Sequence, residues 1–125
     1  MYKRQVDWIL NYASDLVTES EVMVCPPDPG IAEMAALLGE AVVQIDEAIA
    51  RLGSEGGDAA EPAYAAIRAE RRLRGTYYRG MASLLEVKDM RERIARRELY
   101  RRCSRIGETV VEVAERVVYA IVKQS

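Results

Sequence analysis

A carboxylate that falls on an apolar helix face is the residue of this chain whose position most suggests chemistry. At about 100° of rotation per residue, Glu70 lies within roughly 40° of the centre of an apolar stripe. The other members of that stripe are Ala66, Leu73, Tyr77, Gly80, Met81 and Leu84. A partly buried carboxylate needs a partner. Two interpretations follow: a salt bridge to an arginine of the neighbouring last helix, or a ligand for a metal ion or another bound group.

The remaining reactive residues do not form a recognisable catalytic set. The chain has no histidine, so no imidazole can activate its serines. The glycine-rich segment 53–57 follows a helix and lacks the Lys-Ser/Thr ending of a phosphate-binding loop. We therefore predict that the protein is not an enzyme. One enzymatic alternative is a Mg²⁺-dependent all-α nucleotide pyrophosphohydrolase, which would use helix-borne carboxylates such as Asp7, Asp15, Glu70 and Glu108, although its denser acidic motifs are not found here.

Charge is distributed unevenly along the chain. Thirteen Lys and Arg residues stand against five Asp and Glu residues between Arg68 and Arg105, whereas the net charge of the whole chain is −2. Pairing of basic with acidic helices would explain this polarity, as would a basic surface for a phosphate-bearing partner. We interpret Glu92 and Glu98 as intrahelical ion-pair partners of the arginines. Because aromatic interleaving is slight, we expect no nucleic-acid partner.

Length and composition indicate one ordinary globular domain, 1–125. Half of the residues are apolar and 30% are charged. No apolar run approaches the 18 or so residues that a membrane span needs, and no signal peptide is visible. Two cysteines, Cys25 and Cys103, do not make a disulfide framework, which favours a reducing cytoplasm. We expect Cys103 to pack as a small apolar residue of the last helix.

Hydrophobic periodicity predicts four helices, at 3–23, 29–52, 59–85 and 87–123, and no convincing strand. Three prolines end the first helix, and Asp28 is a plausible N-cap for the second, with Pro29 at the first helical position. The break at 86–89 contains neither Gly nor Pro and is weakly marked. Short connections place neighbouring helices antiparallel. The expected fold is all-α, an antiparallel up-down helical bundle of three to four long helices.

The last helix has an unusually wide apolar face. Its main seam consists of Leu99, Cys103, Ile106, Val110, Val113, Val117 and Ala120. Further apolar or small residues extend the face to about half of the circumference, wider than the stripe of a typical surface helix; these are Gly107, Val111, Ala114, Val118, Ile121 and Val122. Such a helix needs several neighbours. A second copy that covers Val111, Val118 and Val122 would supply one, so we predict a homodimer.

The same helix carries a family resemblance. Residues 104–108 read Ser-Arg-Ile-Gly-Glu, and residues 114–119 read Ala-Glu-Arg-Val-Val-Tyr. This segment resembles the end of a PhoU-family helical domain, which reads Glu-Arg-Ile-Gly-Asp, then an Ala-Glu-Arg run and an apolar tail. The resemblance covers the last two helices well and the first helix loosely. It implies a PhoU-like helical bundle.

The resemblance also implies a set of metal ligands. PhoU-like proteins bind metal ions on the bundle surface through Glu/Asp-x-x-x-Asp motifs, in which carboxylates four residues apart share a hard cation. In this chain the corresponding ligands would be Asp7 and Asp15 on the first helix, Glu70 on the third, and Glu108 and Glu112 on the last. They would hold a divalent or ferric metal ion.

About half of the family's carboxylates are replaced in this chain. Ser104, Arg74 and Asn11 stand at positions where the motifs have acids or an acidic face. An arginine in such a site repels a cation. We therefore expect weakened metal binding and no bound cofactor. The favoured substitute is a direct ion pair, in which Arg74 or Arg71 takes the place of the cation beside Glu108 or Asp15.

By resemblance, the function is regulatory. PhoU-family members modulate phosphate uptake, so the chain would be an adaptor in phosphate homeostasis. Its partner would be a phosphate transporter subunit or a sensor histidine kinase. An alternative of a different class is a helical-bundle interaction protein outside phosphate control.

Overall fold

The structure is a computed structural model that describes Asn11 and residues 28–54 and 57–124. Beyond residue 28, these residues form helices α1 (Pro29–Leu52), α2 (Ala60–Ser83) and α3 (Met90–Gln124), with a short 3₁₀ helix at Leu84–Glu86. No strand occurs in these ranges, which confirms the all-α prediction for the described part of the chain. The predicted helix at 3–23, apart from Asn11, lies outside the described residues.

Helix α1 begins where the sequence predicts. Asp28 has an extended backbone, and its Oδ1 accepts hydrogen bonds from the backbone N–H of Gly30 at 2.8 Å and of Ile31 at 3.4 Å. Pro29 occupies the first turn, where its missing N–H costs no helical hydrogen bond. The predicted N-cap is therefore confirmed.

The junction between α2 and α3 falls at the predicted break, but α3 begins at Met90 instead of residue 87. Val87 has an extended backbone, and its carbonyl accepts a hydrogen bond from the Arg93 Nε at 3.0 Å. Asp89 then accepts a hydrogen bond from the backbone N–H of Arg91 at 2.9 Å. The Asp89 cap and the hydrogen bond from Arg93 to the Val87 carbonyl stabilise this turn, so neither Gly nor Pro is needed there.

The three helices pack against one another, and their contacts fix their directions. A small apolar cluster at one end contains residues of all three helices or their caps: Ala48, Ala59, Ala63 and Val117. At the other end, Tyr100 of α3 lies against Gly30 of α1 and Gly80 of α2. Helix α2 therefore runs antiparallel to both α1 and α3.

The seam of α3 forms the centre of the core as predicted. Leu99, Cys103, Ile106, Val110, Val113 and Val117 are all buried, whereas Ala120, the last member of the predicted seam, is partly exposed. Burial raises the pKa of the Cys103 thiol to about 12, so this residue behaves as the predicted small apolar side chain. None of the helices within the described ranges combines the length and apolarity that crossing a bilayer requires.

The outer part of the wide apolar face is covered unevenly. Val118 and Ile121 are partly buried against the cluster of Ala48 and Ala63 within the same chain, whereas Val122 is exposed. Neighbours within the chain therefore explain part of the width of this face. A homodimer through Val111, Val118 and Val122 stays a prediction.

Two glycines allow the helices to meet around Tyr100. A Cβ added at Gly80 would overlap the Tyr100 ring, and one added at Gly30 would overlap its hydroxyl. Tyr100 is nevertheless 1% exposed, so the ring occupies the space that the two missing side chains leave. The close approach of three helices depends on glycine at both positions.

We expect Gly80→Ala to lower the free energy of unfolding by about 1–3 kcal/mol, because the new methyl group displaces a buried ring. Gly39→Ala is the matched control, since a Cβ added at Gly39 of α1 would meet no atom within 4 Å. This control should gain about 0.5–1 kcal/mol from helix propensity alone. Urea denaturation measures both values, and equal stability of the two variants would contradict the packing around Tyr100.

Candidate functional site

The carboxylate of Glu70 lies in the interface between α2 and α3, as the sequence predicts. The residue is 5% exposed. A Cβ at Gly107 of α3 would stand 3.5 Å from the Glu70 Cγ, so the stem of the glutamate packs closely beneath a helix position without a side chain. Burial of this acid among apolar neighbours makes a charge partner necessary.

That partner is Arg74, one turn further along the same helix. Its Nη2 lies 2.7 Å from Oε2 of Glu70, and its Nε lies 3.3 Å from Oε1. The prediction of a salt bridge to an arginine of the last helix is therefore wrong. The facing residue of α3 is Gly107, which offers no side chain, whereas the four-residue spacing places Arg74 directly beside the acid.

Arg74 also lies in the field of a second predicted ligand. The hydrogen bond to Glu70 raises the pKa of Arg74, and the negative charges of Glu70 and Glu108 act in the same direction. The guanidinium thus lies near two carboxylates that the family resemblance assigns to a metal ion. Because the Arg74 side chain is 54% exposed, solvent screens part of this interaction.

The described residues do not fit a metal site of the PhoU-like kind. Nowhere in 28–54 or 57–124 do three or more His, Cys, Asp or Glu residues come close enough together to hold a metal ion. Both oxygens of Glu70 are taken by Arg74. Glu112 lies one turn beyond Glu108 on the exposed side of α3. Asp7 and Asp15 fall outside the described residues, so their assignment as ligands stays a prediction.

A second polar cluster, which the sequence analysis missed, lies at the end of the bundle. The Tyr100 hydroxyl donates to Oδ1 of Asp28 at 2.7 Å. Arg96 donates from Nη1 to Oδ2 of Asp28 at 3.0 Å and from Nη2 to Oε1 of Glu92 at 2.6 Å. The side chains of Asp28 and Arg96 are only 8% and 16% exposed. This cluster ties the start of α1 to α3.

The charges of this cluster support a structural role. Burial, followed by the hydrogen bond to Asp28, raises the pKa of Tyr100, so the phenol remains a neutral donor. Burial disfavours the charged form of Arg96, but its bonds to Glu92 and Asp28 outweigh that effect and raise its pKa. Asp28 already accepts from two helix amides, the phenol and the guanidinium. These four donors engage both oxygens of Asp28 in the scaffold.

The sequence contained partial signals for this cluster. Asp28 is recognisable as an N-cap, and Gly80 lies on the predicted stripe of α2. Tyr100 directly follows Leu99, which places it at the edge of the predicted seam. What sequence spacing could not show is that Asp28 and Tyr100, 72 residues apart, meet in space.

Most ion pairs of the described residues lie within one helix. Glu92 pairs with Arg96 and Glu98 with Arg102, which confirms the predicted intrahelical pairing. Among the ion pairs of this part of the chain, two join different segments. Arg72 pairs with Glu40 at 3.9 Å, and Arg96 pairs with Asp28. Within the described part of the chain, Arg72 and Arg96 are thus the arginines that pair with another segment.

We expect Tyr100→Phe to lower the free energy of unfolding by about 1–3 kcal/mol at pH 7, because the buried Asp28 carboxylate loses a donor. Folding raises the pKa of Tyr100, so its contribution to the free energy of unfolding is complete below the pKa of an unfolded tyrosine, about 10. This contribution is lost as the pH rises above that value. The difference between wild type and Tyr100→Phe should therefore shrink above pH 10. Tyr78→Phe, at a residue that is 65% exposed, is the control and should have little effect. Chemical denaturation from pH 7 to 11 checks this, and a constant difference would contradict it.

Comparison of the chain with models of known protein families, with curated proteins and with solved structures finds no match in any of the three.

Proposed function

We propose that this protein is a cytoplasmic regulatory adaptor that acts through protein–protein contacts and is not an enzyme. The observation that carries this proposal is the ion pair of Glu70 with Arg74. Among the described residues of the α2–α3 interface, Glu70 has the one buried carboxylate. Arg74 of the same helix neutralises its charge. The carboxylate is therefore engaged as part of the scaffold, and the surfaces of an all-helical body are left as the functional elements.

We propose further that the adaptor is PhoU-like and serves phosphate homeostasis. This part depends on the resemblance of residues 104–108 and 114–119 to the end of a PhoU-family domain. The all-α architecture and the buried seam of α3 are compatible with it. The partner would be a phosphate transporter subunit or a sensor histidine kinase. In this proposal Arg74 takes the place of the family's metal ion.

Two other functions make different demands. A helical-bundle interaction protein outside phosphate control needs the same scaffold but no response to phosphate supply. A Mg²⁺-dependent nucleotide pyrophosphohydrolase needs convergent carboxylates, and turnover of a nucleoside triphosphate that Glu108→Gln abolishes would favour it.

If Arg74 replaces a metal ion, restoring the family's acids should restore metal binding. The double variant Arg74→Asp/Ser104→Glu places acids at 70, 74, 104 and 108, the positions that correspond to the acidic pairs of the family's motifs on α2 and α3. We expect it to bind Mn²⁺ or Fe³⁺ near 1:1 or higher in isothermal titration calorimetry. The control Arg71→Asp/Ser83→Glu makes the same charge change elsewhere on α2 and should bind neither ion. A restored variant that binds no better than this control would argue against a PhoU-like site.

The phosphate adaptor is tested in cells of the source organism. We expect deletion of the gene to change phosphate uptake and phosphate-responsive transcription in phosphate-replete medium. Complementation with wild type or with Glu108→Gln should restore both, because the proposed role needs no metal ligand at Glu108. Crosslinking should connect the protein to a transporter subunit or a sensor kinase. Unchanged uptake and transcription after deletion would favour the interaction protein outside phosphate control.

A further inference from the structure

The solvent-exposed side of α3 carries an ordered row of charges, which we name the α3 outer face. Its charged members are Arg97, Arg101, Arg105, Glu108, Glu112 and Glu115. They follow one another at spacings of three and four residues, so they lie on one side of the helix. Ile94 and Tyr119 flank the row and are 60% and 62% exposed.

The order of these charges is unfavourable within a single helix. All three arginines precede all three glutamates, so Arg97, Arg101 and Arg105 repel one another at four-residue spacing, as do Glu108 and Glu112. The neighbouring rows of the same helix contain Glu92 with Arg96 and Glu98 with Arg102, which pair at that spacing. Among the described residues, none of the six charges of the outer face forms an ion pair within 4.0 Å, although Glu108 lies in the field of Arg74. Opposite charges from outside the face would offset this repulsion.

The row is complementary to itself when one helix is reversed. We propose that the α3 outer face is a homodimer interface, in which α3 packs antiparallel against α3 of a second copy about a two-fold axis at the level of Ile106 and Gly107. This axis places Arg105 opposite Glu108 of the second copy and Arg101 opposite Glu112, and it brings Arg97 near Glu115. Symmetry repeats each pair, because an isologous interface uses the same surface on both subunits.

The apolar flanks match in the same register. Ile94 lies opposite Tyr119 of the second copy, so an apolar contact closes each end of the charged row. An open depression of about 410 Å³, lined by Glu112, Glu115, Arg116 and Tyr119, lies beside this contact. Charge and apolar pattern thus select one partner, one direction and one register.

This interface differs from a dimer through Val111, Val118 and Val122, and it does not rest on the proposed phosphate function. Because its pairs are exposed, the association should weaken as the salt concentration rises. Sedimentation velocity of the full chain at low and high salt measures this directly. The wild type should be a dimer at low salt and should dissociate toward monomer near 1 M NaCl.

Two single charge reversals test the register. Arg101→Glu brings two carboxylates together, because the new side chain lies opposite Glu112 of the second copy, and Glu112→Arg brings two guanidinium groups together in the same way. Each variant alone should show a dimer dissociation constant raised by about tenfold or more. An equimolar mixture should regain wild-type association. In the mixed dimer the introduced glutamate of one chain faces the introduced arginine of the other, and the symmetry-related pair is the native Arg101 with Glu112.

The mixture separates a contact between chains from one within a chain. Residues 101 and 112 are eleven positions apart, about 16 Å along one helix, so they cannot pair within it. Arg71→Glu and Glu33→Arg make the same charge changes at exposed positions off the face and should leave the dimer intact. Circular dichroism melts of all variants report whether each one is folded.

Several results would overturn the proposal. These are a wild type that stays monomeric at low salt, single variants that dimerise like wild type, or a mixture that gains no association. Variants that lower stability without changing the oligomeric state would assign the face to another segment of the same chain. Loss of binding to a transporter subunit or sensor kinase, with dimerisation unchanged, would assign it to that partner instead.

Discussion

The Tyr100 hydroxyl, 2.7 Å from the Asp28 carboxylate, determines how the three described helices meet. Asp28 also caps α1, so a single carboxylate connects the start of one helix to the side of another. The ring fills the space beside Gly30 and Gly80, and larger residues there would force the helices apart. This contact sets the register of α3 against α2. Two turns further along, the same register places Gly107 over Glu70.

The position of Gly107 also influences which group pairs with the Glu70 carboxylate. Gly107, which faces the stem of Glu70, offers no side-chain partner, and Arg74 of the same helix supplies one from one turn away. An unpaired charge at this depth would be strongly destabilising, which is why the pair forms although Arg74 is half exposed. A bidentate arginine leaves the carboxylate oxygens unable to serve as metal ligands. Glu70, one of the positions that resemble a metal site, therefore contributes to the scaffold.

Local patterns were predictable from the sequence, and contacts between distant residues were not. The bounds of α1, its Asp28 cap and the buried seam of α3 follow from periodicity and capping, which are properties of neighbouring residues. The burial of Glu70 was predictable for the same reason, but its partner was not, because that depends on which α3 residue faces it. The link from Asp28 to Tyr100 depends on two glycines that admit the ring, and nothing in the local pattern of Tyr100 indicates it. Helix α3 starts later than predicted because the Arg93 side chain donates a hydrogen bond to the Val87 carbonyl. Hydrophobic periodicity cannot predict a contact between a side chain and the backbone.

Helix α3 has two different sides. Its buried side fixes the fold, and its exposed side separates positive from negative charge along its length. Both sides are consistent with an adaptor whose partners are proteins. The central claim is that Arg74, and not a metal ion, balances the charge of Glu70. Inductively coupled plasma mass spectrometry of the wild-type protein, purified without chelator from metal-supplemented cells, tests it most directly. We predict far less than one equivalent of Mg, Mn, Fe or Zn per chain, and one or more tightly bound equivalents would contradict the claim.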